Sequence, residues 1–273
     1  MKNKQLLDAL MYPVVYLLNR PVFDTFNKLV LLFAYKINGA GIAWEGISHI
    51  AQNEERFLRK FSGKINGGIV FDVGANVGHY ALAVKSVCPQ SKIIAFEPQP
   101  ITFQTLQKKC AHTDVICENK ALSESIGTAK LYEIAGQASS SVASLTESTL
   151  QTFGSSGEVY EVATETIDRY CEANRIEQIR FLKIDTEGHD IDVLKGAKGM
   201  LASGCIDIIE FEFIPANIFT NVHFYQFCEI LSDFELFRLC LNGSLTPMLP
   251  YDYRFSEFYA IYNVIAVRKG MSN

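Results

Sequence analysis

The sequence predicts an α/β fold, in which a mainly parallel sheet is covered by helices on both faces. The first observation is that short apolar runs alternate with helical stretches from residue 69 onward, a pattern typical of parallel sheets. The second is a glycine-containing turn between the first apolar run and the first helix, where open sheets of this kind bind ligands. The third is length, since 273 residues are enough for one large domain to bury a stable core without metals or disulfides.

Five short runs rich in Ile, Val and Phe predict the parallel strands, because buried strands favour these residues. In chain order the predicted strands are residues 69–73, 92–96, 115–117, 181–185 and 206–213. Helical stretches follow four of them, at residues 77–87, 101–111, 190–201 and 224–231. Two closing strands, 235–241 and 263–268, have no obvious helix between them, which predicts an antiparallel hairpin at the sheet edge.

The stretch between the third and fourth strands interrupts the alternation. Residues 128–134 alternate like a strand, and Gly136–Gly157 then contains seven serines, a composition typical of a loop. A loop of this length inside a compact domain is usually functional or disordered. Two interpretations stay open, a lid over a substrate and a plain connection.

Composition and charge exclude several classes of protein. The formal net charge is −5, which argues against nucleic acid as a partner, because such proteins need a Lys/Arg-rich face. The seven cysteines include no Cys-x-x-Cys pair, so the sequence predicts neither a disulfide framework nor a zinc site. Free cysteines indicate a reducing compartment, and we therefore expect a cytoplasmic protein.

The first 50 residues are expected to form a helical extension, with the main domain at 51–273. The stretch Leu6–Tyr35 is apolar, but prolines and charged residues interrupt it, and its longest apolar run, Leu29–Tyr35, is far shorter than the ~20 residues of a membrane span. No signal-peptide cleavage site follows an apolar core. Two interpretations stay open: short helices packed on the main domain, or helices contacting a membrane surface or partner through residues 6–35.

The turn Asp72-Val-Gly74-Ala-Asn76-Val-Gly78 carries the first functional signal. Its glycines allow the backbone to approach a ligand closely, so a side chain at Gly74 is expected to occupy ligand space. The following helix offers unpaired N–H groups at its amino terminus. Glu97 ends the second strand, 19 residues after Gly78, where an acidic residue can accept hydrogen bonds from ribose hydroxyls. Together they predict an adenosine-containing ligand.

Other motifs narrow the choice of ligand. The sequence has no Gly-x-Gly-x-x-Gly fingerprint, no Tyr-x-x-x-Lys pair, no P-loop and no Gly-x-Ser-x-Gly nucleophile elbow. These absences argue against a dinucleotide oxidoreductase, a nucleotide triphosphatase and the usual α/β-hydrolase. The acidic Asp72 suits a ligand with positive ammonium and sulfonium groups better than a pyrophosphate, which points to S-adenosylmethionine.

Several segments resemble one family, the FkbM methyltransferases. They are Phe71–Gly78, Phe96-Glu97-Pro98, Asn119–Ser123, Lys183–Asp190, Ile209–Phe213 and the tail from Gly243 to Asn263, so the resemblance covers roughly residues 54–268. The resemblance implies a seven-stranded Rossmann-like domain of the class I methyltransferases. It implies methyl transfer from S-adenosylmethionine to a hydroxyl oxygen, often on a sugar or secondary metabolite, so a small-molecule or glycan acceptor is expected. The implied cofactor-binding residues are Asp72, Gly74, Asn76, Gly78, Glu97, Asn119, Ala121 and Asp185.

The end of the fourth predicted strand carries the candidate catalytic residues. Strand alternation places Lys183, Asp185 and Glu187 on one side, and Lys183 is expected to pair with Glu210 or Glu212 of the next strand. An alcohol acceptor loses a proton during methyl transfer, so a nearby base helps. Asp185, Glu187 and His189 are the candidate catalytic residues. His189 is the favoured base because of its ordinary pKa, with the two carboxylates orienting the acceptor and the cofactor.

Two alternatives accompany this interpretation. A divalent metal held by Asp185, Glu187 and a third carboxylate could replace the base, but ligand spacing does not favour it. A protein that binds the cofactor without catalysis, as a scaffold docked through its apolar amino terminus, is the alternative function. The sequence predicts neither the acceptor nor the oligomeric state.

Overall fold

A computed structural model describes residues 2–41, 51–134, 143–145 and 157–271. The chain divides into two compact units, residues 1–42 and 43–273. The predicted domain boundary at residue 50 falls at the end of the undescribed stretch 42–50, and it stays a prediction.

The first unit consists of two helices, as the sequence predicts. Helix α1 spans Lys2–Leu18, a short 3₁₀ turn covers Pro21–Phe23, and α2 spans Asp24–Ile37. Asp24 in the first turn and Lys36 in the last turn of α2 complement the helix dipole. Within the described residues, the structure has no helix long and apolar enough to cross a membrane.

The second unit is built on an eight-stranded mixed sheet. Its strands are β1 (Ile69–Val73), β2 (Lys92–Phe96), β3 (Ile116–Glu118), β8 (Ile179–Ile184), β9 (Ile206–Phe213), β10 (Phe234–Leu239), β11 (Leu245–Pro247) and β12 (Tyr262–Arg268). Their spatial order is β3-β2-β1-β8-β9-β12-β10-β11, and the five strands from β3 to β9 pair in parallel. The predicted α/β class is therefore confirmed.

The closing strands correct two details of the prediction. Strands β10 and β12 do pair antiparallel, but β12 lies between β9 and β10 instead of forming the edge. The edge is β11, a three-residue strand that makes the sheet eight-stranded rather than seven-stranded. Its Leu-Thr-Pro sequence is too short and too polar to stand out as a strand, and proline is tolerated there because edge strands need fewer N–H donors.

Helices cover both faces of this sheet. They are α3 (Gln52–Ile65), α4 (His79–Val87), α5 (Pro100–Cys110), α6 (Ile167–Asn174), α7 (Asp190–Lys195), α8 (Lys198–Ala202), α9 (Ala216–Phe219), α10 (Phe224–Ile230) and α11 (Tyr253–Ser256). The single helix predicted at 190–201 is in fact two. Gly196 separates them, and a Cβ atom there would lie 2.0 Å from the Ser123 carbonyl oxygen, so the chain is interrupted where it touches another segment.

Helix α3 was not predicted, although it supplies part of the core. Phe57, Leu58 and Ile65 are fully buried, and Phe57 packs against Phe181 of β8 with ring centroids 6.0 Å apart. The spacing of Phe57, Leu58, Phe61 and Ile65 is helical and could have revealed the element. This helix brings Glu54 beneath the site described below.

A smaller four-stranded sheet, separate from the first, is formed by strands that follow β3 in the chain. It contains β4 (Ala121–Leu122), β5 (Gly127–Ile134), β6 (Ala143–Ser144) and β7 (Gly157–Glu165), in the order β4-β7-β5-β6. The strand predicted at 128–134 is confirmed as β5. Most of the serine-rich segment Gly136–Gly157 lies outside the described residues, so its two interpretations stay open.

Candidate active site

A cleft of about 810 Å³ opens at the carboxyl ends of β1, β2 and β8. This is the edge at which open α/β sheets bind ligands. Seven predicted site residues line it: Gly74, Asn76, Glu97, Ala121, Asp185, Glu187 and His189. Sequence reasoning missed several apolar and polar lining residues, among them Gln99, Thr102, Lys120, Leu131 and Leu145.

The glycine turn joins β1 to the neighbouring strand ends. The N–H groups of Gly74 and Ala75 both donate to the Phe96 carbonyl, at 3.0 and 2.9 Å. Gly74 has a φ of +82°, and a Cβ atom at this position would lie 1.9 Å from the Asp185 carbonyl oxygen. A side chain here would therefore collide with the backbone that follows β8, a second reason for this glycine, and the expectation that it would also occupy ligand space stays a prediction.

Glu97 is held by the backbone on two sides. Its Oε2 accepts from the Asn76 N–H at 2.8 Å, and its Oε1 accepts from the Gln99 N–H at 2.8 Å. Burial raises the pKa of Glu97 to about 7, although these two hydrogen bonds lower it. Each carboxylate oxygen has a second lone pair, so the group can accept two further hydrogen bonds from hydroxyls in the cleft.

Gln99 supports this arrangement from the start of α5. Its side-chain oxygen accepts from the Thr102 N–H at 2.5 Å and so caps the helix, while its amide nitrogen donates to Glu133 Oε2 at 3.0 Å. The bond to Glu133 links the start of α5 to β5 of the smaller sheet. These hydrogen bonds hold Gln99 and the start of α5 in place beside Glu97.

Replacing Glu97 by alanine should weaken S-adenosylmethionine binding by about 1.5–3 kcal/mol, the range for hydrogen bonds to a charged group. The reason is that both remaining acceptor positions of the carboxylate are lost. Calorimetric titration measures the change, with Glu172→Gln on the exposed face of α6 as a control. An unchanged affinity would remove Glu97 from the binding site.

Three predicted cofactor residues lie behind the cleft instead of lining it. Asp72 is buried inside β1, and its Oδ2 has no hydrogen-bond partner among the described residues. Gly78, with a φ of +87°, begins α4 against Leu106. The Asn119 amide donates to the carbonyls of Glu97 and Pro98, at 2.9 and 3.1 Å, and braces that loop. Direct contact of these three with a cofactor stays a prediction.

Lys183 neutralises part of an acidic cluster at the floor of the site. Its ammonium lies 3.3 Å from Glu54 Oε1 and 3.3 Å from Asp185 Oδ2, and it is almost fully buried. The acidic neighbours hold the pKa of Lys183 well above its ordinary value, despite the opposing effect of burial. The expected pairing with Glu210 or Glu212 is wrong, because Glu210 accepts instead from Tyr80 and Asn263.

Asp72 belongs to the same cluster, because it is the parallel partner of Lys183 in the sheet. Burial raises the pKa of Asp72 to about 7, while the charge of Lys183 opposes the rise. The cluster therefore has more carboxyl groups than cations among the described residues. Such a cluster favours a positively charged ligand over an anionic one, because a nearby cation stabilises the ionised form of carboxyl groups whose pKa is raised.

Glu187 follows β8 in a strained turn. Its φ is +53°, and this left-handed backbone, which a non-glycine residue rarely adopts, directs the chain toward α7. Burial, together with the charges of Asp185 and Asp190, raises the pKa of Glu187 to about 8. Asp190 itself accepts from the Thr186 hydroxyl at 2.7 Å and from the Glu212 N–H at 3.2 Å, so it fixes the turn.

His189 is held by partners at both ring nitrogens. Its Nδ1 lies 3.2 Å from Asp192 Oδ2, and its Nε2 lies 3.0 Å from the Ser123 hydroxyl. A proton on Nδ1 that is donated to Asp192 leaves Nε2 as the acceptor of the Ser123 hydroxyl. Burial lowers the pKa of His189, so the ring is neutral at pH 7.

The described residues contain no group of three His, Cys, Asp or Glu side chains arranged to hold a metal ion. The carboxylates of the site are instead paired with Lys183 or with backbone and hydroxyl donors.

Comparisons with known proteins agree with this geometry. Residues 72–239 match the family described as the methyltransferase FkbM domain. Methyltransferase sdnD of Sordaria araneosa is 30% identical over 158 residues, which cover 46% of this chain and 59% of that protein. The hexuronic acid methyltransferase AglP of Haloferax volcanii is 31% identical over 144 residues, covering 52% of this chain and 55% of the relative.

The chain thus spans less than two thirds of the length of these curated relatives. Among solved structures, the fibrillarin of Aeropyrum pernix in complex with S-adenosyl-L-methionine is 13% identical, with a TM-score of 0.41, and the match covers 80% of this chain and 77% of that one. The family match extends from the glycine turn through β10 and takes in most of the cleft. This chain belongs to the FkbM methyltransferase family.

Proposed function

We propose that this protein transfers a methyl group from S-adenosylmethionine to a hydroxyl oxygen of a sugar, glycan or secondary metabolite. The observation that carries the proposal is the cleft itself. Its lining contains a backbone-anchored carboxylate, Glu97, together with the carboxylates Asp185 and Glu187. Family membership and the named relatives support methyl transfer as the reaction.

The residues present fit such a cofactor. Glu97 has free acceptor positions for the two ribose hydroxyls, and Ala121, Leu122 and Leu131 offer an apolar surface suited to an adenine ring. The excess of carboxyl groups around Lys183 favours positive ammonium and sulfonium groups. S-adenosylmethionine supplies an activated methyl group when it is bound, so the protein has mainly to position the acceptor and take its proton.

Glu187 is the proton acceptor that the geometry favours over His189. Its pKa of about 8 makes the carboxylate a stronger base than an ordinary glutamate, and it lines the cleft. The Nε2 lone pair of His189 already accepts from Ser123, and its lowered pKa makes it a weaker base. In this proposal His189 shapes the wall of the cleft, and Asp185, paired with Lys183, orients the acceptor.

A sugar acceptor has one supporting observation. The relative AglP is named a hexuronic acid methyltransferase, and its similarity extends over about half of this chain. Sugars present several hydroxyls to a polar cleft, and the carboxylates Asp185 and Glu187 can accept hydrogen bonds from them.

The test is a labelled-methyl assay on a panel of monosaccharides, uronic acids, glycans and small alcohols, run beside a calorimetric titration of the cofactor. Cofactor binding with label transfer to a hydroxyl supports the proposal. Cofactor binding without transfer to any acceptor on the panel would favour the scaffold alternative, and absence of cofactor binding would contradict both.

Replacing His189 by alanine should lower turnover by less than about tenfold, because its role in this account is structural rather than that of a base. The ascending limb of the pH–rate profile should stay where it is in the parent. Steady-state rates between pH 6 and 9 measure this, with Ser123→Ala as a companion that removes the same hydrogen bond. A loss of 10²-fold or more, together with a changed profile, would instead assign the base to His189.

A further inference from the structure

The first unit carries an apolar surface that the proposed reaction does not use. Among the side chains that the structure describes, 26 large hydrophobic ones are exposed, and 15 of them lie between Leu10 and Ile37. The other 11 are distributed over the whole second unit. Soluble proteins rarely leave so dense an apolar patch uncovered unless it contacts a partner or a membrane.

Helix α2 has seven exposed large hydrophobic residues, of which five share one face and two, Leu31 and Leu32, lie on the other side. Phe26, Leu29, Val30, Phe33 and Ile37 follow the i, i+3, i+4, i+7, i+11 spacing of one helical stripe, and each is at least half exposed. The opposite side carries the ion pair between Lys28 and Asp24, whose charged atoms lie 2.8 Å apart. A helix with an apolar stripe opposite a charged face is suited to lie in the plane of an interface between water and hydrocarbon.

Helix α1 adds aromatic residues of the kind found at membrane interfaces. Tyr12 and Tyr16 stack with ring centroids 6.2 Å apart, and both are about two-thirds exposed. The guanidinium of Arg20 lies 5.6 Å from the centre of the Tyr16 ring. Tyrosine rings and basic residues are both enriched at the headgroup level of a bilayer.

The net charges of the two units indicate which kind of membrane surface the first unit would bind. Residues 1–42 contain five Lys or Arg and two Asp, a net charge of +3, whereas the whole chain has −5. The second unit therefore carries −8 and is repelled by anionic lipids, while the first unit is attracted to them. We propose that residues 10–37 bind the surface of a membrane that contains anionic lipids, through the apolar face of α2 and the exposed tyrosines of α1.

The test measures co-sedimentation of the full chain with lipid vesicles. Vesicles of phosphatidylcholine with roughly one third phosphatidylglycerol should bind at least about tenfold more protein than pure phosphatidylcholine, and added salt should reduce this excess. The variant Phe26→Asp/Phe33→Asp should lose binding by at least about tenfold, because charges replace the apolar stripe. The matched control Tyr253→Asp/Phe255→Asp makes the same kind of change at two exposed aromatics of α11 and should bind like the parent.

A second variant separates charge from apolar contact and guards against misfolding. Lys28→Gln/Lys36→Gln keeps the stripe intact, so it should keep binding to neutral vesicles and lose the preference for anionic ones.

Equal binding of the parent to both vesicle types, or unchanged binding of Phe26→Asp/Phe33→Asp, would overturn the proposal. So would light scattering that shows a stable dimer which this variant dissociates, because the face would then bind a second copy. Cofactor titration is independent of these outcomes, so failure here leaves the proposed reaction standing.

Discussion

Replacing Glu187 by glutamine should lower turnover by roughly 10²–10⁴-fold, the usual contribution of a general base, and leave cofactor binding within about threefold of the parent. Glutamine keeps the shape of the side chain but cannot take a proton from the acceptor. The parent should show an ascending limb in the pH profile of kcat/KM with a midpoint near the Glu187 pKa of about 8, because the base acts in its deprotonated form. The variant should lose that limb.

Rates and cofactor titrations on the same preparations separate catalysis from binding. Glu172→Gln on the surface makes the same chemical change away from the cleft and should be neutral. The variant should fold at least as stably as the parent. Because the pKa of Glu187 is raised on folding, this residue lowers the free energy of unfolding as the pH rises from about 4.5 to about 8. Glutamine does not ionise, so the variant lacks this loss of stability. If Glu187→Gln keeps an ascending limb in its pH–rate profile, centred below 6.5, the ordinary pKa of histidine, then the assignment of the base to Glu187 is contradicted.

Replacing Gly74 by alanine should abolish cofactor binding and lower the free energy of unfolding by more than about 4 kcal/mol, a cost seen when a buried backbone cannot accommodate a side chain. The new Cβ would lie 1.9 Å from the Asp185 carbonyl oxygen, which belongs to the backbone and cannot rotate away. Either the turn or the end of β8 has to shift, and both form the cleft. Denaturant unfolding and calorimetry measure the two effects.

Gly67→Ala is the matched control for this prediction. Gly67 has a φ of +81°, almost that of Gly74, but an added Cβ would meet nothing within 4 Å. It therefore carries the cost of the left-handed backbone alone, about 1–2 kcal/mol. If Gly74→Ala loses no more stability than this control and still binds the cofactor, the contact between the turn and β8 does not position the site.

The ligand-binding edge of the sheet could be predicted because it depends on local sequence. Apolar runs end at Val73, Phe96 and Ile184, and parallel strands bring their carboxyl ends to one edge. The residues that follow each run, Gly74, Glu97 and Asp185, are therefore brought to the same edge of the sheet. The family resemblance is carried by the same local segments, and the match of residues 72–239 to the family confirms it.

Interactions between distant segments could not be predicted. The ion pair of Lys183 with Glu54 depends on the packing of α3 under β8, and the two residues are far apart in the sequence. Strand alternation alone pointed to Glu210 or Glu212 of the next strand, and the carboxylate of Glu210 instead accepts from Tyr80 and Asn263. Alternation gives the side of the sheet but not which of several partners a long side chain reaches.

The environment of His189 shows the same limit. Its ordinary pKa made it the favoured base, yet the partners that hold its ring are Ser123, 66 residues earlier in the chain, and Asp192 on α7. The break at Gly196 depends likewise on the Ser123 carbonyl. A sequence pattern places these residues at one end of the fold, but only their packing decides which partner each ring nitrogen of His189 contacts.

The most direct test of the central claim is a crystal structure of the protein with S-adenosylhomocysteine. We expect the ribose hydroxyls within hydrogen-bond distance of both oxygens of Glu97, and the sulfur atom on the side of the cleft that carries Asp185 and Glu187. Ligand bound elsewhere, or a ribose held by groups other than Glu97, would contradict it.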